Sequence, residues 1–515
     1  MFDKDSLQSF SLEVDPYECQ RSHRPRSDRD LHHGSSQALV QASSHTSDHP
    51  LSRVEDDSGV PQVAHLSPAR RISIVIMLSY CAFLAPISST AIFTAVADLA
   101  RTFDTTQDII YASNSLYLGC MGVSALIWGP ASQVWGRRPV TQLLITSSIL
   151  FCAFTVASAF APNLVSYFIF RGCAALQGTS FLVIGNAIVG DIYEPTARAS
   201  ALGWVLSGSL TGPALGPFLG GIIMTFRPWR TIFYLLSALS LCATVLIITI
   251  LPETIAHRAS PSLRGQPLRT QAQQLWYQTS PFRILHLIIA YPNILCTGLA
   301  AGALVWNEYA LLTPISHTLN PRFHLTSSIE AGLLYLPAGL GYLMGTFFSG
   351  HYTDCIARYF IRRRQGQRIP EDRLRSCLPF ICIASPACVL IYGWTVDAGV
   401  GGIPLPVVLM FVQGIAQIFC FSSLNTYCLD VMQEQGRSAE VVGANYAFRY
   451  VFAALGTGVA MPAIKVVGAG WFNAISALFL VGAGGAVWWT AVFGAGWREA
   501  VDRRKGQQAG EKSMR

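Results

Sequence analysis

Two arginines, Arg171 and Arg449, lie deep inside the apolar runs VSYFIFRGCAALQGTSFLVIG and ANYAFRYVFAALGTGVAMPA, one in each half of a chain of 515 residues. A charged side chain at the centre of a bilayer costs at least about 2.5 kcal/mol, so a buried arginine takes an anionic partner or lines a wet cavity. A guanidinium holds a carboxylate through two parallel hydrogen bonds, and two such residues predict a transport site for an anion. At about 3.6 residues per turn, Arg171 shares its face with Ala174, Ala175 and Gly178, and Arg449 with Asn445, Ala453 and Gly456. Small residues around a long cation leave room for a ligand. They leave equal room for another helix, and the competing arrangement is a structural ion pair with Asp430, Glu308 or a helix C-terminus.

Other polar residues fall within apolar runs. Gln413 and Gln417 are one turn apart, with Asn425 and Tyr427 further along the same run; Asn114, Tyr117 and Asn307 lie in others. Each alone makes an interhelical hydrogen bond worth about 0.6 kcal/mol; as a set they form a lining for a hydrophilic solute. Glu308 is the carboxylate placed deepest in an apolar run and is the candidate for proton coupling. Asp191 and Asp430, nearer the cytosolic ends of their helices, are the other carboxylates open to proton coupling or to pairing with loop arginines, and for Asp191 the pairing is the expectation.

The elements that must hold these residues follow from composition. Hydrophobic residues make up 51% and charged residues 13%, with a mean hydropathy of +0.39, against roughly one quarter charged residues in soluble domains. The chain reads as an all-α membrane protein. Stretches near the roughly 20 residues that cross a bilayer occur at 72–95, 110–130, 139–160, 164–189, 201–224, 231–251, 287–312, 329–350, 377–396, 404–429, 441–463 and 471–493. With the N-terminus inside, the internal loops carry fifteen arginines, among them Arg137, Arg138, Arg198, Arg362, Arg363, Arg364, Arg368 and Arg373. Only Arg101, Arg227, Arg230, Arg322 and Lys465 fall outside. That bias places both termini in the cytosol.

Residues 1–71 form a polar tail expected to be disordered, and no apolar signal core precedes Ile72. Six spans at 72–251 and six at 287–493 flank a basic cytosolic connector, 252–286, and 494–515 form a second cytosolic tail. The net charge of +7 is explained by attraction of the internal segments to anionic headgroups, and no nucleic-acid partner is expected. Most of the 13 cysteines lie within spans and none in an external loop, so no disulfide framework is implied. There is no CxxC pair or metal-ligand spacing, and neither a metal nor a cofactor is expected. A weak repeat relates the halves: Gly129 is followed four residues on by Gln133, Gly350 by Asp354, and each then by arginines. A six-plus-six repeat puts a binding site near the midplane between the halves.

Three motifs make the likeness specific. GPASQVWGRRPV, with Gly129, Gln133, Gly136, Arg137 and Arg138, resembles the loop signature of the major facilitator superfamily; RGCAALQGTS, from Arg171, resembles its fourth-helix pattern. GSLTGPALGPFLGG, with Gly212, Pro213 and Gly216, resembles the fifth-helix motif of its proton-coupled antiporters. SQVWGRR, GDIYEPTARASALGW, LNPRFHLTS, PEDRLRSCLPF, SLNTYCLDVM and RSAEVVGANY are similar to the fungal subgroup that includes citrate and itaconate exporters, within the drug:proton antiporter branch. The likeness runs from about residue 65 to 502. It implies two six-helix bundles, alternating access, a plasma-membrane location and a monomeric carrier exchanging a small molecule for protons, with facilitated efflux down the substrate gradient as the rival.

The departures matter too. Gln133 stands where the superfamily signature usually has aspartate, and Val134 where it has a basic residue, which removes charge from the usual intracellular gate. The exporter subgroup tends to lack that aspartate as well. Ala197 replaces a common glutamate, and Glu308 occupies a place expected to be uncharged. Apart from the resemblance, Gly208, Gly212, Gly216, Gly220 and Gly221, with Pro213 and Pro217, line a helix face almost without bulk, and close packing of a neighbouring helix is the expected use.

Three function classes separate on these residues. A membrane redox enzyme needs histidines in its spans, and here they lie in tails, loops or span edges; the GxxxxGK[ST] loop of an ATP-driven pump is absent. An exporter of lipophilic cations has no reason to bury arginine. The expectation is a secondary transporter exporting a small organic anion, citrate- or itaconate-like, with multidrug, toxin or secondary-metabolite efflux on the same scaffold as the alternative.

Overall fold

The computed structural model describes residues 67–134, 137–193, 198–251, 280–315, 319, 323, 327–433 and 437–513, all within the compact unit Val63–Arg515. Most of the expected tail at 1–71 and connector at 252–286 lie outside the described residues. The first half supplies α1 (Pro68–Thr90), α2 (Val96–Thr102), α3 (Gln107–Val134), α4 (Arg137–Ala159), α5 (Leu164–Ile192), α6 (Arg198–Phe226) and α7 (Arg230–Ile250). The second supplies α8 (Pro281–Ala290), α9 (Pro292–Leu312), α10 (Ser328–Leu333), α11 (Leu336–Arg363), α12 (Ser385–Ala398), α13 (Pro404–Asp430) and α14 (Ser438–Ser513). No strand occurs among the described residues.

Eleven helical stretches among these residues are long and apolar enough to cross a membrane. The last covers 67 residues, about 100 Å at 1.5 Å per residue, against a hydrocarbon core of about 30 Å. It is broken at Gly468, whose φ of 83° and ψ of 164° no helix contains. The Asp397 side chain accepts from the Ala469 amide at 3.2 Å beside the break, so α14 turns back and crosses twice. The twelve apolar runs are thereby accounted for.

Boundaries moved where local chemistry decides them. The first helix begins at Pro68 rather than 72, because Ser67 caps it and proline suits the first turn. The seventh span begins at Pro292 rather than 287: Tyr291, at φ −117° and ψ 98°, is held extended by the proline that follows, which separates α8 from α9. α11 runs on to Arg363, past the expected end at 350, carrying Asp354 inside the helix.

Outward faces carry Ile76, Phe348, Leu478 and Val466, more apolar exposure than a soluble protein presents and what a lipid belt requires. Within the first half α6 lies along α1. A Cβ on Gly212 would stand 2.9 Å from the Ile87 amide and 3.0 Å from the Phe83 carbonyl, so the Gly212, Pro213 and Gly216 face is spent largely on helix packing. Between the halves, α3 meets α14 where a Cβ on Gly129 would stand 2.8 Å from the Ala439 carbonyl, and α6 meets α11. We call the side on which α1 begins the proximal face and its opposite the distal face.

Candidate functional site

A cavity of about 20 Å³ lies between the halves, lined by Pro86, Ser209, Leu210 and Pro213 from the first and by Val305, Glu308, Tyr309, Tyr446, Arg449 and Tyr450 from the second. That is room for about one water molecule, so the conformation is closed around its centre.

Arg449 is buried on α14, one turn beyond Asn445, as helical phase requires. Its Nη2 donates to Asn425 Oδ1 at 2.9 Å, and its guanidinium lies 4.0 Å from the Phe421 ring centroid and 4.9 Å from that of Tyr446. Nε has no hydrogen-bond partner among the described residues. Glu308, on α9, lines the same cavity without an ion pair to Arg449. Its Oε2 accepts from Gln417 Nε2 at 3.1 Å, Gln417 also donates to the Leu304 carbonyl at 3.2 Å, Tyr342 donates to Gln417 Oε1 at 3.1 Å, and Oε1 of Glu308 is unpartnered among the described residues. A buried cation and a buried carboxylate thus share one space while each keeps unused hydrogen-bonding capacity.

Arg171 is placed differently. It donates from Nη1 to the Ser88 carbonyl at 2.9 Å and from Nη2 to Asn114 Oδ1 at 3.1 Å, with its guanidinium 4.4 Å from the Tyr117 centroid. It is 1% exposed and does not line the cavity with Arg449. The two arginines therefore do not form one clamp in this conformation. Neither pairs with Asp430 or Glu308; Arg171 instead holds a carbonyl in the last turn of α1, the helix-end arrangement among the alternatives, and Arg449 holds the neutral Asn425.

Asn307, Gln413 and Asn445 are buried with both side-chain polar atoms unpartnered among the described residues, an arrangement that buried groups adopt where water or a solute completes them. Tyr427 instead turns to the proximal end, where it accepts from Asn293 Nδ2 at 2.8 Å.

A charge cluster closes the proximal face. Asp430, at the end of α13, takes Arg198 of α6 at 3.1 Å, Arg373 at 2.8 Å and Arg368 at 2.7 Å. Arg373 also reaches Asp354 at 3.0 Å, and Asp354 accepts from the Ser200 amide across the halves at 3.3 Å. Arg198 and Arg373, counted from sequence among the internal-loop arginines, are 4% and 3% exposed: both are buried between helices. The side chains of Asp191, Gln133, Arg137 and Arg138 are outside the described set, and Gly136 and Ala197 lie outside the described residues. The distal face is bridged by Lys465 and Asp108 at 3.3 Å, both well exposed.

Sequence reasoning missed the aromatic walls. Tyr309 follows Glu308, and Tyr446 and Tyr450 bracket Arg449 in the run ANYAFRY; that interleaving of aromatics with the buried charges was the available signal. Arg198 and Arg373 gave none, since they stand among loop arginines.

Residues 78–457 match the family model for the Major Facilitator Superfamily. The MFS transporter cpaT of Aspergillus oryzae is 26% identical over 423 residues, covering 79% of this chain and 83% of the relative. The efflux pump vrtL of Penicillium aethiopicum is 27% identical over 377 residues, covering 70% and 73%. The efflux pump radE of Floropilus chiversii is 25% identical over 442 residues, covering 83% and 80%. The crystal structure of the human organic anion transporter MFSD10 (TETRAN) superposes with a TM-score of 0.59 over 82% of this chain and 100% of that one, at 17% identity. At that identity the likeness is one of fold.

Proposed function

The chain belongs to the major facilitator superfamily, and we propose that it is a proton-coupled efflux transporter of an organic metabolite that joins an acid group to an apolar or aromatic body. The observation that carries this reading is the cavity in which Arg449 and Glu308 stand unpaired among Tyr309, Tyr446 and Tyr450. The guanidinium supplies a partner for an acid, the rings supply flat contact area for the rest of the molecule, and the carboxylate supplies a proton carrier. Citrate or itaconate, small and polar throughout, makes little use of aromatic walls. Efflux pumps among the relatives favour metabolite efflux over export of a small citrate- or itaconate-like carboxylate. The positive-inside count supports a proximal face in the cytosol, and the carrier is read as a plasma-membrane monomer.

The test is transport into inside-out vesicles under an imposed pH gradient, with labelled citrate, labelled itaconate, an aromatic carboxylic acid and an uncharged hydrophobic dye. The aromatic acid is expected to accumulate and to compete with other aromatic acids, and citrate is expected to do neither. Equal transport of the uncharged dye, unchanged by Arg449→Ala, overturns the reading.

A further inference from the structure

We propose that Tyr446 and Tyr309 are the two latches of the central cavity, Tyr446 sealing it toward the proximal face and Tyr309 toward the distal face. Both belong to the second half, both line the cavity, and each makes one hydrogen bond to the first half. Asn186 Nδ2 on α5 donates to the Tyr446 hydroxyl at 2.8 Å. Ser89 on α1 shares a hydrogen bond with the Tyr309 hydroxyl at 3.1 Å. All four side chains are at most 2% exposed.

Their heights separate them. Gly298 and Gly302 of α9 stand against Phe448 and Phe452 of α14, so Tyr446, just before Phe448, is level with the first turns of α9, while Tyr309 stands about 16 Å distal of Gly298 by helix rise. Arg449, just after Phe448, and Glu308, just before Tyr309, lie between them. One tyrosine is thus the floor of the space and the other its roof. Tyr446 also stacks on Tyr450 at 6.2 Å between centroids, which ties the floor to the wall beside Arg449. Ser89 follows Ser88, whose carbonyl Arg171 holds at 2.9 Å. Arg171 is therefore a positioning residue for the distal latch: it fixes the end of α1 that carries the latch's partner.

The bonds are neutral and few, as a latch that opens in every cycle requires. A neutral hydrogen bond is worth about 2- to 12-fold in an equilibrium, so loss of one changes populations without destroying the fold. Loss of Tyr446 favours opening on one side and loss of Tyr309 on the other. The ion cluster around Asp430 lies further out on the proximal side and closes the vestibule rather than the cavity.

The proposal rests on the cavity being the transport site, and the test reads the latches apart from transport. A cysteine at Ser209, which lines the cavity, is labelled with a membrane-impermeant maleimide in inside-out and right-side-out vesicles, against the same chain without it. Tyr446→Phe is expected to raise labelling from the proximal face about 2- to 12-fold and to leave distal labelling unchanged; Tyr309→Phe is expected to do the reverse. Asn186→Leu should reproduce Tyr446→Phe, and the double variant should go no further than either single one. Labelling that is unchanged, or raised equally from both faces, overturns the proposal, and so does an additive double variant. Labelling that follows the latches while Arg449→Ala transports normally upholds the latches and sinks the functional reading above.

Discussion

Asp430 joins the two halves of the chain by holding Arg198 at 3.1 Å while taking Arg373 from its own half at 2.8 Å. Arg368 reaches the same carboxylate at 2.7 Å. Removing one partner of a buried ion pair costs about 3–5 kcal/mol because the other charge is left uncompensated, and two transport conformations differ by only a few kcal/mol. Asp430→Asn is therefore expected to open the proximal face, raising maleimide labelling at a cavity cysteine from that side and lowering the thermal midpoint. Adding Arg198→Gln should restore part of both, since it removes a charge that Asp430 had balanced. A double variant as impaired as the single one contradicts the pairing.

Asp354 is expected to act in the same direction. An exposed ion pair contributes about 0.2–1 kcal/mol; the bond of Asp354 to Arg373 is buried, at 5% and 3% side-chain exposure. Asp354→Asn should therefore shift labelling by more than the severalfold change an exposed pair gives. Gln133→Asp, which restores the charge the first half lacks, should lower labelling from the proximal side. Opposite movement in both variants removes the two loop motifs from the gate.

Arg449→Ala is expected to abolish transport of an acidic substrate while the protein still reaches the membrane. Arg449→Lys should fall well below wild type, because it keeps the charge but loses the planar fork. Arg171→Ala should also impair transport, by releasing the end of α1. Near-normal efflux from both alanine variants ends the idea that either arginine serves the anion.

Glu308→Gln keeps the bond to Gln417 within reach but cannot carry a proton. Net transport driven by an imposed pH gradient should be lost, while counterflow exchange of substrate continues. Gradient-driven transport at wild-type rate in this variant removes Glu308 from coupling.

Gly212→Ala tests packing. The added methyl would meet Ile87, Phe83 and Pro86 within about 3 Å, and overpacking of this kind costs about 1–3 kcal/mol. A thermal midpoint lowered by several degrees in detergent is the expected result, with reduced transport; an unchanged midpoint means that α1 yields freely.

The number of crossings and the depth of Arg171, Arg449 and Glu308 were legible because apolar runs mark depth directly. Rotation and partnership were not. Helical phase correctly set Asn445 beside Arg449, but the residue that bonds Arg449 is Asn425, from a helix whose approach no spacing within α14 encodes. Arg198 and Arg373 read as internal-loop arginines for the same reason: their burial is made by helices from elsewhere in the chain closing over them. The break at Tyr291 was signalled by Pro292, and the extension of α11 was hidden because its polar end resembles a loop in composition.

The turn at Gly468 has a bearing on how the protein is built and handled. Asp397 accepts from the amide just after it, and a Cβ on Gly468 would stand 3.2 Å from that carboxylate, so the last two crossings are joined by a single residue with no slack. An epitope or glycosylation acceptor inserted there would report damage to the hairpin rather than its sidedness, and topology mapping of this chain is better done at its termini.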